Sequence, residues 1–83
     1  MSYSGSRLAL ALKPGDTIHI GPHDIPYGDR VVHFDSPDLD VEVESADRSG
    51  HLVIVNWITP AGRPCGVCVY GANDLVQLLE RAA

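Results

Sequence analysis

Two turn signals, Asp47-Arg48-Ser49-Gly50-His51 and Thr59-Pro60-Ala61-Gly62-Arg63, flank the apolar stretch Leu52 to Ile58 and cast it as the middle strand of a meander. Each signal has a turn-forming Asp or Thr, two residues compatible with a type I turn, and a Gly where the chain must go left-handed to form a bulge. If each Gly closes a three-residue loop, Asp47 faces His51 and Thr59 faces Arg63. Counting outward sets Val43 opposite Val55, Val41 opposite Trp57, Val55 opposite Val67 and Trp57 opposite Cys65. Val41, Val43, Val53, Val55, Trp57, Cys65, Val67 and Val69 then share one apolar face, which nothing in the turn argument required. The reverse face collects Glu42, Glu44, Leu52, Ile54, Ile58, Cys68 and Tyr70.

The rest of the chain reads around this meander. Met1 to Ser6 is small and polar and is expected to be a flexible tail before a single domain over residues 7–83. Leu8, Leu10 and Leu12 alternate with alanines, a period of two that fits a short strand and leaves a helical turn open. Lys13-Pro14-Gly15-Asp16 is a turn, and Thr17 to Ile20 a strand with Ile18 and Ile20 on one face. Residues 21–30 hold two prolines and two glycines and read as a loop long enough to be functional. Val31 to Asp35 is a strand ended by a bend at Ser36-Pro37-Asp38. Leu39 to Ser45 alternates apolar residues with Asp40, Glu42 and Glu44. Residues 73–83 are expected to form a short C-terminal helix, with Asn73 or Asp74 as cap, Gln77 completing a capping box, and Leu75, Leu78, Leu79 and Ala82 as the buried stripe. Short antiparallel strands followed by one helix favour a partly closed barrel, since closure hides edges.

Composition narrows the function classes. A chain of 83 residues, 45% apolar, supports one modest core. Its longest apolar run, Leu8 to Leu12, is too short for a membrane span or a secretory signal, so an unexported protein with reduced cysteines is expected. Eleven acidic residues against six scattered basic ones give a net charge of −5, which opposes direct binding to nucleic-acid phosphates.

Catalytic and metal motifs are thin. Cys65-Gly66-Val67-Cys68 has redox or zinc spacing, but in a strand residues three apart point to opposite faces. The register puts Cys65 in the core and Cys68 outside. His19 and His23 stand four apart across a Gly-Pro kink and could chelate as a pair, but His33 and His51 lie on other elements and no third ligand is nearby, so no metal site and no cofactor are expected. No serine has an elbow or an assignable base, and no phosphate loop occurs, so no catalytic residue is assigned and an enzyme is not expected.

The Lys13-Pro14-Gly15-Asp16 turn, the strand end Asn56-Trp57-Ile58-Thr59-Pro60-Ala61-Gly62 and the closing Tyr70-Gly71-Ala72-Asn73-Asp74-Leu75 resemble small Src-homology-3-like β-barrel proteins of unknown function encoded by actinobacterial phages. The resemblance covers residues 13 to 79 and carries architecture alone. It implies an SH3-like barrel that binds rather than catalyses, and a virus-encoded protein acting in a host bacterial cytoplasm.

Two surface features then carry function. Leu52, Ile54, Ile58 and Tyr70 form an apolar patch opposite the Trp57 core, expected to mediate self-association as a homodimer or capture of a host protein. Asp38, Asp40, Glu42 and Glu44 form an acidic face, with three carboxylates repeating at about 6.6–6.8 Å along the strand, close to the phosphate spacing of a nucleic-acid strand. The alternative function is therefore an acidic nucleic-acid mimic that blocks a DNA-binding protein. A small metal-binding protein ranks third.

Overall fold

Leu52 to Ile58 alternates half-buried and buried residues along its whole length, with Val53, Val55 and Trp57 inside and Leu52, Ile54, Asn56 and Ile58 at the reverse face. The computed structural model describes residues 3–79, with side chains from residue 5 onward. Among the described residues eight strands form: β1 (Tyr3–Leu8), β2 (Thr17–Ile20), β3 (His23–Tyr27), β4 (Arg30–Phe34), β5 (Leu39–Ser49), β6 (Leu52–Ile58), β7 (Cys65–Gly71) and β8 (Leu75–Leu79). Six build one sheet in the order β1-β8-β2-β5-β6-β7, and β3 and β4 make a separate hairpin. Every strand pair is antiparallel. Among the described residues no ladder joins β1 to β7, so the barrel is not closed.

The core lies on one face of the long sheet. Ile18, Ile20, Val41, Val43, Val53, Val55 and Val76 are almost wholly buried there, together with Trp57, Cys68 and Tyr70. Each such aliphatic side chain contributes roughly 1.5–3 kcal/mol on leaving water. The alternation expected for β2 and β6 therefore holds, and that for β5 holds as far as Val43, beyond which a bulge turns Ala46 inward in place of Ser45.

Both turns of the meander differ from the expected three-residue loops. In the first, β5 runs on to Ser49, which pairs with Leu52, and Gly50 (φ 62°) opens a two-residue turn with His51. Gly is required in either geometry, because both place it at positive φ. A bulge between Val43 and Ser45 absorbs part of the offset, so Val43 faces Trp57 and Ala46 faces Val55.

In the second turn Thr59 pairs with Pro64 instead of Arg63. Thr59 N donates to Pro64 O at 3.1 Å, and Gly62 N to Thr59 O at 2.8 Å. The loop is one residue longer than expected. That single residue flips every side chain of β7, as a one-residue slip must. Cys68 and Tyr70 point into the core, while Cys65 and Val67 are exposed. Gly66, not Cys65, faces Trp57.

The C-terminal helix expected over 73–83 is a strand as far as Leu79, and residues 80–83 lie outside the described residues. Asp74, read as a helix cap, turns back instead: its Oδ2 accepts the Gly71 N–H at 2.8 Å, and its own N–H bonds Gly71 O at 3.0 Å. The strand that follows is bonded on both sides, by β1 and β2, and buries Val76 and Leu79. Tyr3 to Ser6, expected within the flexible tail, belong to β1 and pair with β8. Leu8 ends that strand, and Ala9–Ala11 form a 3-10 turn that buries Ala9.

Candidate functional site

Residues 23–34, two thirds of them expected to be loop, form the β3–β4 hairpin, and this hairpin builds the most distinctive surface of the chain. Its turn is Gly28-Asp29, with Gly28 at φ 64°. His23 pairs with Phe34, Ile25 with Val32 and Tyr27 with Arg30, so these residues share one face. Asp24 and His33 lie on the other face, joined at 2.9 Å.

His23 clasps the hairpin to the long sheet. Its ring stacks on Tyr70 with centroids 4.5 Å apart and planes 12° apart, and it also packs against Phe34. Nε2 faces the Val69 carbonyl at 2.7 Å, and Nδ1 faces the Gly21 carbonyl at 2.8 Å. A neutral imidazole donates to one of these carbonyls, and an imidazolium to both. The hairpin is thereby held across the end of β7, and Ile25 is buried beneath it.

Between hairpin and sheet runs an apolar cleft of about 280 Å³, walled by Ile25, Tyr27, Val32, Phe34, Leu52 and Val69. Of the expected patch, Leu52, Ile54 and Ile58 do occupy the reverse face of β6, all half-buried. Tyr70 does not: the slip in β7 turns it into the core, and Val67 and Val69 take its place beside Asn56 and Ile54. Ile25, Tyr27, Val32, Phe34 and Val69 were not anticipated. The signal that would have found them is the Gly28-Asp29 turn between two alternating runs, a two-residue hairpin signature hidden by Pro22 and Pro26. Pro26 is tolerated because, among the described residues, β3 is bonded on one side only.

The acidic residues are less uniform than their spacing. His19 stands between two of them, with Nε2 at 2.5 Å from Asp38 and Nδ1 at 2.7 Å from Asp40. The hydrogen bond to Asp40 and the nearby charge of Asp38 raise the imidazole above its ordinary value, against the opposing effect of partial burial. Glu42 faces Thr17 on β2 and Ile58 on β6, and Glu44 sits at the β5 bulge. The row thus runs along a central strand with its first two carboxylates engaged by a histidine.

The two cysteines do lie on opposite faces, in the reverse of the expected sense. Cys68 is fully buried, and burial pushes its thiol upward. Burial likewise pushes the neighbouring Tyr70 phenol well above its ordinary value. Among the described residues no three His, Cys, Asp or Glu side chains gather into a metal-ligand group. No helix of the described residues is long and apolar enough to cross a membrane. No known protein-family model, curated protein or solved structure matches this chain.

Proposed function

We propose that this chain is a non-enzymatic protein-interaction module that works by self-association through the apolar side of β6, β7 and the β3–β4 hairpin. The observation that carries the reading is the cleft walled wholly by Ile25, Tyr27, Val32, Phe34, Leu52 and Val69, with Tyr27, Val32 and Val67 exposed around it. A small domain seldom leaves such a surface in water. A second copy is the simplest cover, because a two-fold contact needs one self-complementary surface. A host protein with an apolar docking segment is the other partner this surface admits.

The non-enzymatic reading draws support from the polar cleft on the other side of His23. The two imidazoles that border it, His19 and His23, are engaged by carboxylates and by carbonyls. The SH3-like resemblance fits the same reading, since the hairpin leans on β7 where a closed barrel would have its seam, and with it goes a phage protein acting in the host cytoplasm. The nucleic-acid mimic draws less support, because Asp38 and Asp40 share His19.

Co-capture tests the proposal. A tagged copy should retain an untagged copy from a mixture of the two purified proteins. No retention at any concentration would overturn self-association.

A further inference from the structure

The ladder between β6 and β7 determines which peptide groups of β7 point away from it. Thr59 N bonds Pro64 O at one end and Ala72 N bonds His51 O at the other, and the register between them has no bulge. Bonded residues alternate in an antiparallel pair. Gly66, Cys68 and Tyr70 therefore bond to β6, while Cys65, Val67, Val69 and Gly71 present their N–H and C=O to the open side, where β7 has no strand neighbour among the described residues.

Half of this open edge is covered from within the chain. His23 Nε2 takes the Val69 carbonyl, and Asp74 takes the Gly71 N–H. Among the described residues no strand or side chain covers the outward groups of Cys65 and Val67. An edge is ordinarily blunted by charge, proline or a bulge. Cys65 to Val67 has none of these, and both flanking side chains are exposed, Val67 at 50%.

We propose that the Cys65–Val67 edge pairs antiparallel with the same edge of a second copy, about a two-fold axis through Gly66. Cys65 of one copy then lies opposite the partner's Val67, and the outward groups of both residues exchange four hydrogen bonds. A second copy fits this edge because its outward groups are self-complementary under a two-fold axis, and it is the place where like charge opposes the contact least. Each chain carries −5, so two copies repel wherever carboxylates approach, yet β7 is uncharged and the acidic strand β5 lies two strands in from it. The His23 clasp at Val69 ends the paired stretch and sets the register. This inference rests on the self-association reading and adds a contact along the β7 edge beside the cleft, which it does not itself cover.

Crosslinking tests the register. The hydrogen-bonded partners Cys65 and the partner's Val67 would have Cα atoms about 5.5 Å apart, within disulfide reach, whereas the two copies of Cys65 would be about 8 Å apart. Val67→Cys should give a covalent dimer on mild oxidation, the wild type should not, and adding Cys65→Ser should abolish the crosslink. Val67→Pro removes only an outward N–H and should leave a folded chain that no longer co-captures. If that variant fails to fold, Val67→Lys, which charges the same exposed site, should give the same loss. Co-capture that survives these changes with no crosslink overturns the edge pairing and leaves self-association standing. No co-capture by the wild type overturns both.

Discussion

Gly66 lies directly across from Trp57, so close that a Cβ on Gly66 would stand 2.8 Å from the indole Cζ2. The indole fills the space a side chain would need. This contact locks the β6–β7 register, because only the residue without a side chain can face the tryptophan. Gly66→Ala should therefore destabilise the fold by about 1–3 kcal/mol through overpacking. Val67→Ala, one residue on and exposed, should change stability by under about 0.5 kcal/mol. Urea melts of the two variants check this, and equal stabilities would contradict the contact.

The same register decides thiol chemistry. Cys65 should react with a maleimide in the native protein, and Cys68 only on unfolding, because it is buried and its thiol is held protonated. Mass spectrometry of briefly labelled protein should find one adduct, on Cys65. Rapid labelling of Cys68 would place β7 the other way up.

His19 makes stability depend on pH in one direction. Its folded value is raised above the ordinary 6.5, so its ion pairs stabilise fully below 6.5 and the contribution is lost as pH rises through the raised folded value. Asp40→Asn removes the largest cause. The stability gap between wild type and Asp40→Asn should be wider at about pH 6 than at about pH 9. A gap that is constant or grows with pH would contradict the bracket of Asp38 and Asp40 around His19.

The hairpin clasp can be opened with one substitution. His23→Ala removes the Tyr70 stack and the bond to Val69 O, a loss of about 1–3 kcal/mol in the docking of the hairpin. Hydrogen exchange should quicken at β3 and β4 and stay slow at Val53 and Val55. Uniform quickening would mean that the hairpin and the sheet open as one unit.

Much of the sheet was legible because alternation is a local signal. Ile18 and Ile20, Val41 and Val43, and Val53, Val55 and Trp57 all point inward as their spacing requires. What failed was counting across turns. Gly50 and Gly62 mark positive φ equally well in loops of different length, and one extra residue before Pro64 exchanged Cys65 and Val67 for Cys68 and Tyr70. The constraint that resolves the ambiguity, a glycine opposite a tryptophan, is a contact between strands that no turn rule contains. Leu75 to Leu79 failed for a different reason. Five residues with leucines at both ends satisfy a helical stripe and a buried strand alike, and the choice fell to the bonds offered by β1 and β2. The apolar cleft escaped because its two walls come from segments about 20 residues or more apart in sequence, brought together where the His23 clasp docks the hairpin on β7.

Self-association through an uncharged surface is tested most directly by sedimentation equilibrium of the wild-type chain over a concentration series at low and high salt. The account predicts a reversible monomer to dimer transition that strengthens with added salt, because salt screens the repulsion between two chains of charge −5 while leaving the neutral contact intact. A monomer at every concentration and both salt levels would contradict it.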